Sequence, residues 1–449
     1  MTKNSKISTL FWVIIILSLF ISLFYSSCNS ESTDKSQRWV RKNIHSSEAI
    51  KDIEALNRAL KIMREKDCKD PLSWYYQGAI HWIPDTIKNN QLCSSYSNVS
   101  ELMPGWDNCT HTPSGQEKIH FLVWHRLYIW HFEKIVRKLS GYQDFALPYW
   151  GYEEAGLNKC MPDMFTQKGS SLYESCRYDS LNLGYPINGE ILRGLDLNKL
   201  MSYSNYRMFC LNINVAPHGA MHDYIGAGND TSGLLQFQNP ITNSITNTGL
   251  MGWVPTAAFD PIFWTHHSNI DRIWQKWTNS PNGVEVTLEE LQSIKWPYVF
   301  FDENGDKVEY KIEEVYDMIY NTDYDFDDTP VREKQKQLLN SSDNSEPKVI
   351  SIDTPGLKIS DKLSKPISLP GLVTSGKSKT KLNLELTVSF TKVPKGIYEV
   401  YVNLDEDDVP SAQSEKFAGY MTFFGADHKM QGESCKKGCC RKLNDKGRT

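Results

Sequence analysis

The chain has 449 residues and a formal net charge of −5, with 40% apolar and 23% charged residues. This composition is typical of globular proteins and excludes wholesale disorder and a polytopic membrane protein. The mild acidic excess gives no electrostatic reason to expect nucleic acid as a partner. At roughly 150 residues per domain, the length predicts two or three domains.

The first 28 residues are predicted to lie outside the fold. Lys3 and Lys6 precede an apolar run over 10–24, which is shorter than a membrane span of about 20 residues but suits a signal-peptide core. The run ends in Tyr25-Ser26-Ser27-Cys28, which resembles the lipobox of bacterial lipoproteins. That resemblance implies that Cys28 is diacylated after cleavage and anchors the chain in the bacterial envelope.

Two alternatives to the lipid anchor stay open. One is an ordinary cleaved signal peptide, which would give a secreted or periplasmic protein, and the other is an uncleaved N-terminal anchor. All three export the chain and permit disulfides. Residues 29–37 are polar and charged, which is typical of a tether.

Helices are predicted through most of 38–331. Apolar residues recur at a spacing of three to four over 38–83. The strongest helix is predicted over 117–139, where the first half is apolar nearly all round and is therefore expected to be buried. A short helix is predicted over 217–225. Asp260-Pro261 then forms an N-cap and first helical position for a helix that runs to Trp277.

The composition changes after about residue 330. Residues 332–349 are polar and predict a linker. Alternating apolar and polar residues over 350–430 predict a small β-sandwich-like domain, with strands in KLNLELTVSF, GIYEVYVNL and FAGYMTFFG. Residues 431–449 form a basic, cysteine-rich tail. The predicted fold class is therefore mainly α, with a helical domain at 38–331 and a small C-terminal β domain.

Histidines cluster in two downstream segments. His218 and His222 are four residues apart, so on a helix they share one face and can reach one metal ion. His266 and His267 are adjacent, so they point about 100° apart and only one is expected to join a shared site. A buried structural histidine explains one of these residues, but it does not readily explain both beside a separate histidine pair.

Three further histidines, His81, His111 and His125, lie on separate upstream segments. Three upstream and three downstream histidines are the number needed for two metals with three ligands each. Few carboxylates lie near these histidines in sequence, apart from Asp223. Ligation by imidazole alone favours copper over zinc or magnesium, so two copper ions are predicted.

Four motifs carry a specific resemblance to a known family. They are WHRLYxxxFE at 124–133, LPYW at 147–150, PHGxMH at 217–222 and DPIFWxHHxNIDRIW at 260–274. Over about residues 50–280 the chain resembles the type-3 dicopper family of tyrosinases, catechol oxidases and hemocyanins. The resemblance implies a four-helix bundle around two copper ions. KFAGYMTFFG at 416–425 resembles, less specifically, the family's C-terminal shielding domain.

The resemblance also implies roles for individual residues. It assigns three ligands to each copper, which are His81, His111 and His125 for the first and His218, His222 and His267 for the second. His266 would then support the second copper without binding it. The family's middle ligand of the first copper falls at Gln116 here, so His111 is chosen and 112–116 is interpreted as an insertion.

The choice of His111 rests on Cys109-Thr110-His111. This tripeptide resembles a fungal motif in which the cysteine sulfur is joined to the ligand histidine by a thioether. The resemblance therefore implies a Cys109–His111 thioether, and the alternative is a disulfide at Cys109.

The implied activity is copper-dependent oxidation of phenols and o-diphenols to o-quinones by O2 through a side-on peroxo dicopper centre. Monophenol hydroxylation, a monooxygenase reaction, is associated in this family with a Glu and an Asn that hold a water. Asn214 and Gly219 occupy those two positions, and Asn214 cannot act as a carboxylate base. Diphenol oxidation is therefore favoured, with a full tyrosinase as the alternative. Val254 occupies the position of a gate over the first copper.

The sequence also leaves three alternative classes of function open. A hemocyanin-like oxygen carrier would use the same two-copper site. A zinc-dependent hydrolase would need an acidic residue as base near the histidines, which the sequence does not show. An inactive scaffold is disfavoured because all six candidate histidines are present. The family resemblance also implies that the β domain covers the copper pocket and keeps the enzyme latent until proteolysis. The route of copper loading, including any copper chaperone, is left open.

Overall fold

The computed structural model describes residues 38–83, 109, 116–189, 191–228, 234–331, 394, 397–405, 407–411, 414 and 416–424. The signal segment with Cys28, the tether, the linker, the cysteine-rich tail and His111 lie outside these residues. The predictions made for them therefore remain predictions.

Six helices position the candidate site. They are α1 (Ile50–Glu65), α2 (Trp74–His81), α3 (Phe121–Ser140), α4 (Tyr206–Ile213), α5 (Ala220–Ile225) and α6 (Ile262–Thr278). Shorter α-helices span Asp163–Thr166, Asp179–Asn182, Ile191–Gly194, Asn198–Met201, Val254–Ala257, Leu288–Gln292 and Ile312–Met318. Tight 3-10 turns span Ser47–Ala49, Gln116–His120, Gly156–Lys159 and Leu250–Gly252, and a wider π turn spans Asn214–Gly219.

The described strands are short and form four two-stranded sheets. In chain order they are β1 (Trp39–Arg41), β2 (Phe237–Asn239), β3 (Ser244–Thr246), β4 (Val299–Phe301), β5 (Lys307–Glu309), β6 (Tyr324–Phe326), β7 (Ile397–Tyr401) and β8 (Phe417–Thr422). β1 pairs with β6 in parallel, whereas β2–β3, β4–β5 and β7–β8 are antiparallel pairs. Helices therefore dominate the described residues, as predicted.

Helix α3 is the centre of the core and packs against both α1 and α6. The ring of Phe132 on α3 stacks on Trp264 of α6 at a centroid distance of 3.6 Å. Arg126 on α3 donates to Asp271 on α6 at 2.6 Å, so these two buried charges pair. These contacts hold the two helices side by side along the stretch that carries the histidines.

The boundaries differ from the sequence prediction in three places. Residues 38–83 form β1, α1 and α2 instead of an unbroken helical stretch, and Pro71 lies between the two helices. The helix predicted over 117–139 begins as a 3-10 turn and becomes α-helical at Phe121, because first turns of helices are often tighter than the rest. The 217–225 helix begins earlier, as the π turn Asn214–Gly219 that leads into α5.

The C-terminal part of the described chain is the β7–β8 hairpin. Its strands match two of the three predicted strands, and the third, KLNLELTVSF at 381–390, lies outside the described residues. β8 packs against the π turn Asn214–Gly219, which carries His218 and leads into α5 with His222. Within the described residues, no helix combines the length and the apolar character needed to cross a bilayer.

Candidate metal centre

Four histidines meet in one buried cluster, which we name the second site. They are His218, His222, His266 and His267, and one potential ligand atom from each lies within 4.8 Å of the others. All four side chains are fully buried. The sequence placed three of them on a metal and His266 beside it, and the structure brings all four together.

Backbone carbonyls orient two of these rings. Nδ1 of His218 lies 3.0 Å from the carbonyl oxygen of Asn214, and Nδ1 of His222 lies 2.9 Å from that of Met251. Gly252 follows Met251, and its backbone lies against that of Gly226, where a Cβ would meet the Gly252 nitrogen at 2.0 Å. This close approach of two glycines brings the Met251 carbonyl to His222. Fixing one nitrogen through a carbonyl directs the other towards a metal, as in known histidine ligands.

The remaining two rings of the second site come from α6. Nδ1 of His266 forms a hydrogen bond of 3.0 Å with the hydroxyl of Tyr152, and the two rings stack. Among the described residues, neither ring nitrogen of His267 has a hydrogen-bond partner. His267 instead packs against aromatic rings, including Phe263 at 4.3 Å.

A second buried cluster, which we name the first site, contains His81, Cys109 and His125. Nδ1 of His125 lies 2.8 Å from the carbonyl oxygen of Phe121, and its Nε2 lies 3.6 Å from Sγ of Cys109. Cys109 forms no disulfide, so the disulfide alternative at this position is wrong. Because His111 lies outside the described residues, its ligand role and the thioether remain predictions.

The two sites are in direct contact through aromatic rings. His125 of the first site stacks on His267 of the second at 4.2 Å, with ring planes only 6° apart. Phe121 contacts both His125 and His218 at 4.7 Å. Phe263 contacts His81 at 4.9 Å as well as His267. Two ions held by these clusters would therefore be neighbours.

Burial keeps the rings neutral. It lowers the pKa of His125 and of His222 to about 3, and it lowers the pKa of His218, His266 and His267 well below the usual 6.5. Neutral imidazole is the form that binds metal. Within the described residues neither cluster contains a carboxylate, and ligation dominated by imidazole suits copper. The residues present therefore fit a pair of copper ions.

Two other histidines lie on or before α3 and belong to neither cluster. The ring nitrogens of His120 are bonded to the Tyr298 hydroxyl at 2.7 Å and to the Ile294 carbonyl at 2.9 Å. His131 forms a hydrogen bond of 3.1 Å with the Tyr310 hydroxyl.

The residues predicted to tune substrate choice lie in different surroundings. Asn214 and Gly219 bound the π turn next to the second site. A Cβ on Gly219 would lie 3.1 Å from the Asn214 carbonyl and 3.1 Å from the Thr422 hydroxyl. Val254 is fully buried at the start of the helix Val254–Ala257, and its gate role remains a prediction.

Three residues near the sites were not singled out from the sequence. Phe424, just after β8, stacks on His222 at 4.3 Å and meets His218 edge-on at 5.8 Å. Phe263 lies between the two sites, and Tyr152 holds His266. Phe263 and Phe424 lie within the motifs quoted above, but no local pattern distinguishes them from ordinary core aromatics.

Comparisons with known proteins agree with this geometry. The family model described as the common central domain of tyrosinase matches residues 71–184 and 178–280. A tyrosinase of Hahella sp. (strain CCB-MM4) is 29% identical over 283 residues, which cover 58% of this chain and 57% of that protein. Aureusidin synthase of Antirrhinum majus is 26% identical over 436 residues, covering 86% of this chain and 71% of that protein.

A solved structure shares the fold. Recombinant latent aurone synthase, a polyphenol oxidase co-crystallised with hexatungstotellurate(VI) and soaked in H2O2, has a TM-score of 0.50 and 19% identity. The match covers 86% of this chain and 79% of that one. At this identity the likeness concerns the fold alone.

Proposed function

Since the chain belongs to the type-3 copper family of tyrosinases and polyphenol oxidases, we propose that it oxidises o-diphenols to o-quinones with O2. The relatives include proteins named tyrosinase, polyphenol oxidase and catechol oxidase. The observation that carries the proposal is the contact between two buried histidine clusters through His125 and His267 at 4.2 Å. This contact would allow two metal ions to act on one O2 molecule.

The family binds two copper ions. In the proposed arrangement His81 and His125, with His111 from outside the described residues, hold the first copper. His218, His222 and His267 hold the second. When bound, the copper pair supplies the transfer of two electrons from a catechol to O2. The carbonyls of Phe121, Asn214 and Met251 keep three of the rings in place during this reaction.

The chain's own residues favour diphenols over monophenols. A monophenol must lose its proton before hydroxylation, and Asn214 offers an amide where the family's hydroxylating members have a carboxylate. Gly219 offers no side chain to hold the assisting water. The Thr422 hydroxyl and the Asn214 carbonyl leave little space for a side chain at position 219, because a Cβ on Gly219 would lie 3.1 Å from each. A catechol, which only needs to be oxidised, does not require this water.

Metal analysis followed by oxygen uptake tests this proposal. The purified protein should contain two copper ions per chain and should consume O2 faster with a catechol than with the matching monophenol. Zinc in place of copper would refute the copper chemistry. Reversible O2 binding without catechol oxidation would favour a hemocyanin-like carrier instead. Equal rates with both phenols would refute the diphenol preference alone.

We also propose that the β7–β8 hairpin keeps the enzyme latent. Phe424 stacks on His222, in the space through which a phenol ring would reach the second site. Two contacts tie the hairpin to Arg193: Tyr420 donates to its carbonyl at 2.5 Å, and Glu399 pairs with its guanidinium at 3.2 Å. Limited proteolysis within the predicted linker 332–349 is expected to raise catechol turnover. An unchanged rate after complete cleavage and separation of the C-terminal part would refute latency.

The location outside the cytoplasm is likewise a proposal. Cys68 is disulfide-bonded, as expected in an oxidising compartment. We propose a lipid anchor at Cys28, which radiolabelled fatty acid would detect in the protein expressed in a bacterial host. Cys28→Ser should abolish labelling and release the chain from the membrane fraction. Wild-type protein without label would refute the lipid anchor and leave a cleaved signal peptide or an uncleaved N-terminal anchor.

A further inference from the structure

We propose that a row of aromatic side chains carries electrons from the protein surface to the first site and so protects the copper ligands from oxidation. The row, which we name the indole path, consists of Trp124, Tyr128, Trp264 and Trp74. The inference rests on the copper pair of the proposed function, but not on the choice of phenol. Its basis is the contacts between these rings, their burial and the hydrogen bonding of two of their N–H groups.

A copper pair that reacts with oxygen while no phenol is bound becomes a local oxidant. It then removes electrons from the nearest side chains, and the ligand histidines are the nearest of all. An easily oxidised ring beside these ligands gives up its electron in their place. Tryptophan and tyrosine are the most easily oxidised aromatic side chains, whereas phenylalanine resists oxidation.

The indole path begins at Trp124, which lies on α3 and is fully buried. Its ring centroid lies 4.9 Å from that of His125 and 6.2 Å from that of His81. Both histidines are assigned to the first copper. Trp124 is therefore an oxidisable ring in contact with two of the ligands.

Three further ring contacts extend the path across three helices. Trp124 lies 4.8 Å from Tyr128 on α3, Tyr128 lies 4.7 Å from Trp264 on α6, and Trp264 lies 6.2 Å from Trp74 on α2. Rings whose centroids are within about 7 Å of one another form an aromatic pair. Because the rate of electron transfer falls steeply with distance, a row of paired rings is a faster route than the surrounding chain.

The path ends at the surface. Trp74 is the first residue of α2 and is 6% exposed, whereas the other three members of the path are at most 1% exposed. A reductant in solution can therefore reach Trp74 but not the inner rings. The burial of the inner rings also keeps water from reacting with them while they are oxidised.

Two indole N–H groups on the path call for an explanation. Nε1 of Trp124 and Nε1 of Trp264 are buried and have no hydrogen-bond partner among the described residues, which is costly. Trp277, another fully buried indole of α6, donates to the Tyr203 carbonyl at 2.8 Å.

The missing acceptors suit electron transfer. An oxidised indole that gives its N–H proton to an acceptor becomes a neutral and less oxidising radical, which holds the charge in place. Without an acceptor, the indoles of Trp124 and Trp264 keep their protons and take the next electron readily. The two unpartnered groups therefore lie where the path needs indoles that do not trap the charge.

Each passage along the path moves one electron inwards. Trp124 gives an electron to the oxidised copper pair, and Trp264 replaces it through the ring of Tyr128. Trp74 then replaces the electron of Trp264. A catechol or an ascorbate-like reductant in solution gives one electron to Trp74, releases one proton to water and leaves in its one-electron-oxidised form.

The test treats the copper-loaded full chain with H2O2 in the absence of phenol and measures oxygenated residues by peptide mass spectrometry. In the wild type, oxygenated Trp74 is expected to accumulate, and ascorbate should suppress it. In Trp264→Phe, the oxidation of Trp74 should be lost, while oxidation of His81, His125 and Trp124 should rise. Copper-free protein treated in the same way measures direct attack by H2O2, which is subtracted.

Trp277→Phe is the matched control, because it removes a buried indole of the same helix that lies outside the path. It should show the wild-type pattern of oxidation. The wild-type pattern in Trp264→Phe would overturn the proposal. An equal loss of Trp74 oxidation in Trp277→Phe would overturn it as well, because the loss would then not depend on the path.

A second variant covers the case in which Trp264→Phe fails to fold, which circular dichroism would reveal. Trp74→Phe changes only the surface end of the path and should raise the oxidation of Trp264 and Trp124. Unchanged oxidation of these two rings would overturn the proposal. Copper content and catechol oxidation are measured on the same samples. A wild type with two coppers and catechol oxidation, but without copper-dependent oxidation of Trp74, would overturn the path alone, whereas an absence of copper would refute the proposed function and the path together.

Discussion

Replacing Phe424 with alanine is expected to raise the catechol turnover of the intact chain about tenfold. The Phe424 ring stacks on His222 at 4.3 Å, with planes 20° apart, and meets His218 edge-on at 5.8 Å. Each such aromatic contact contributes about 0.5–1.5 kcal/mol beyond area burial. The two contacts together contribute about 1–3 kcal/mol to the covered state. A loss of about 1.4 kcal/mol, within this range, is tenfold in the equilibrium between covered and open sites.

The substitution leaves the remaining hairpin contacts in place. Tyr420 still donates to the Arg193 carbonyl, and Glu399 still pairs with the Arg193 side chain. The hairpin is therefore expected to stay docked while the space over His222 opens. This separates removal of the covering ring from loss of the whole hairpin.

Initial rates of oxygen uptake over a range of catechol concentrations measure the effect. Tyr398→Ala is the matched control, because Tyr398 packs against Phe423 within the hairpin and not against a histidine. Its rate should stay within about twofold of wild type. An unchanged rate in Phe424→Ala would refute the covering role. An equal rise in both variants would show that loosening of the hairpin, and not the ring itself, controls access.

Three further predictions concern the substrate, the pH and the core. Asn214→Glu restores a carboxylate base and should raise monophenol oxidation relative to diphenol oxidation by about tenfold or more; an unchanged ratio would contradict the assignment. Burial lowers the pKa of His120 from 6.5 to about 4. The unfolded chain therefore binds more protons between these values, and acidification from pH 6.5 to 4 should remove up to about 3 kcal/mol of stability. In urea titrations at several pH values, His120→Gln should show a correspondingly flatter dependence. Asp271→Asn removes the buried charge that pairs with both Arg41 and Arg126 and should lower the free energy of unfolding by about 3–5 kcal/mol; a loss below 1 kcal/mol would refute the role of this network.

The mainly α fold of the described residues could be predicted because helical spacing is a local property. The apolar stretch of α3 and the Asp260-Pro261 start of α6 are both visible in a window of a few residues. Charges on buried helices need partners, but the tertiary structure decided that Arg126 pairs with Asp271. Helix starts were less predictable, because the first turn depends on contacts of residues such as His120 with distant chain segments.

Some features of the candidate metal centre could likewise be predicted from the sequence, whereas others depended on the tertiary structure. Residue type and spacing alone predict imidazole ligands and the pairing of His218 with His222. Copper binding could therefore be predicted from the sequence. Which ring meets which depended on the tertiary structure. Only the packing of α3 against α6 sets His125 on His267, and only the docking of β8 brings Phe424 onto His222. Adjacency of His266 and His267 suggested that one ring points away, yet the fold directs both to one cluster because segments distant in sequence surround them.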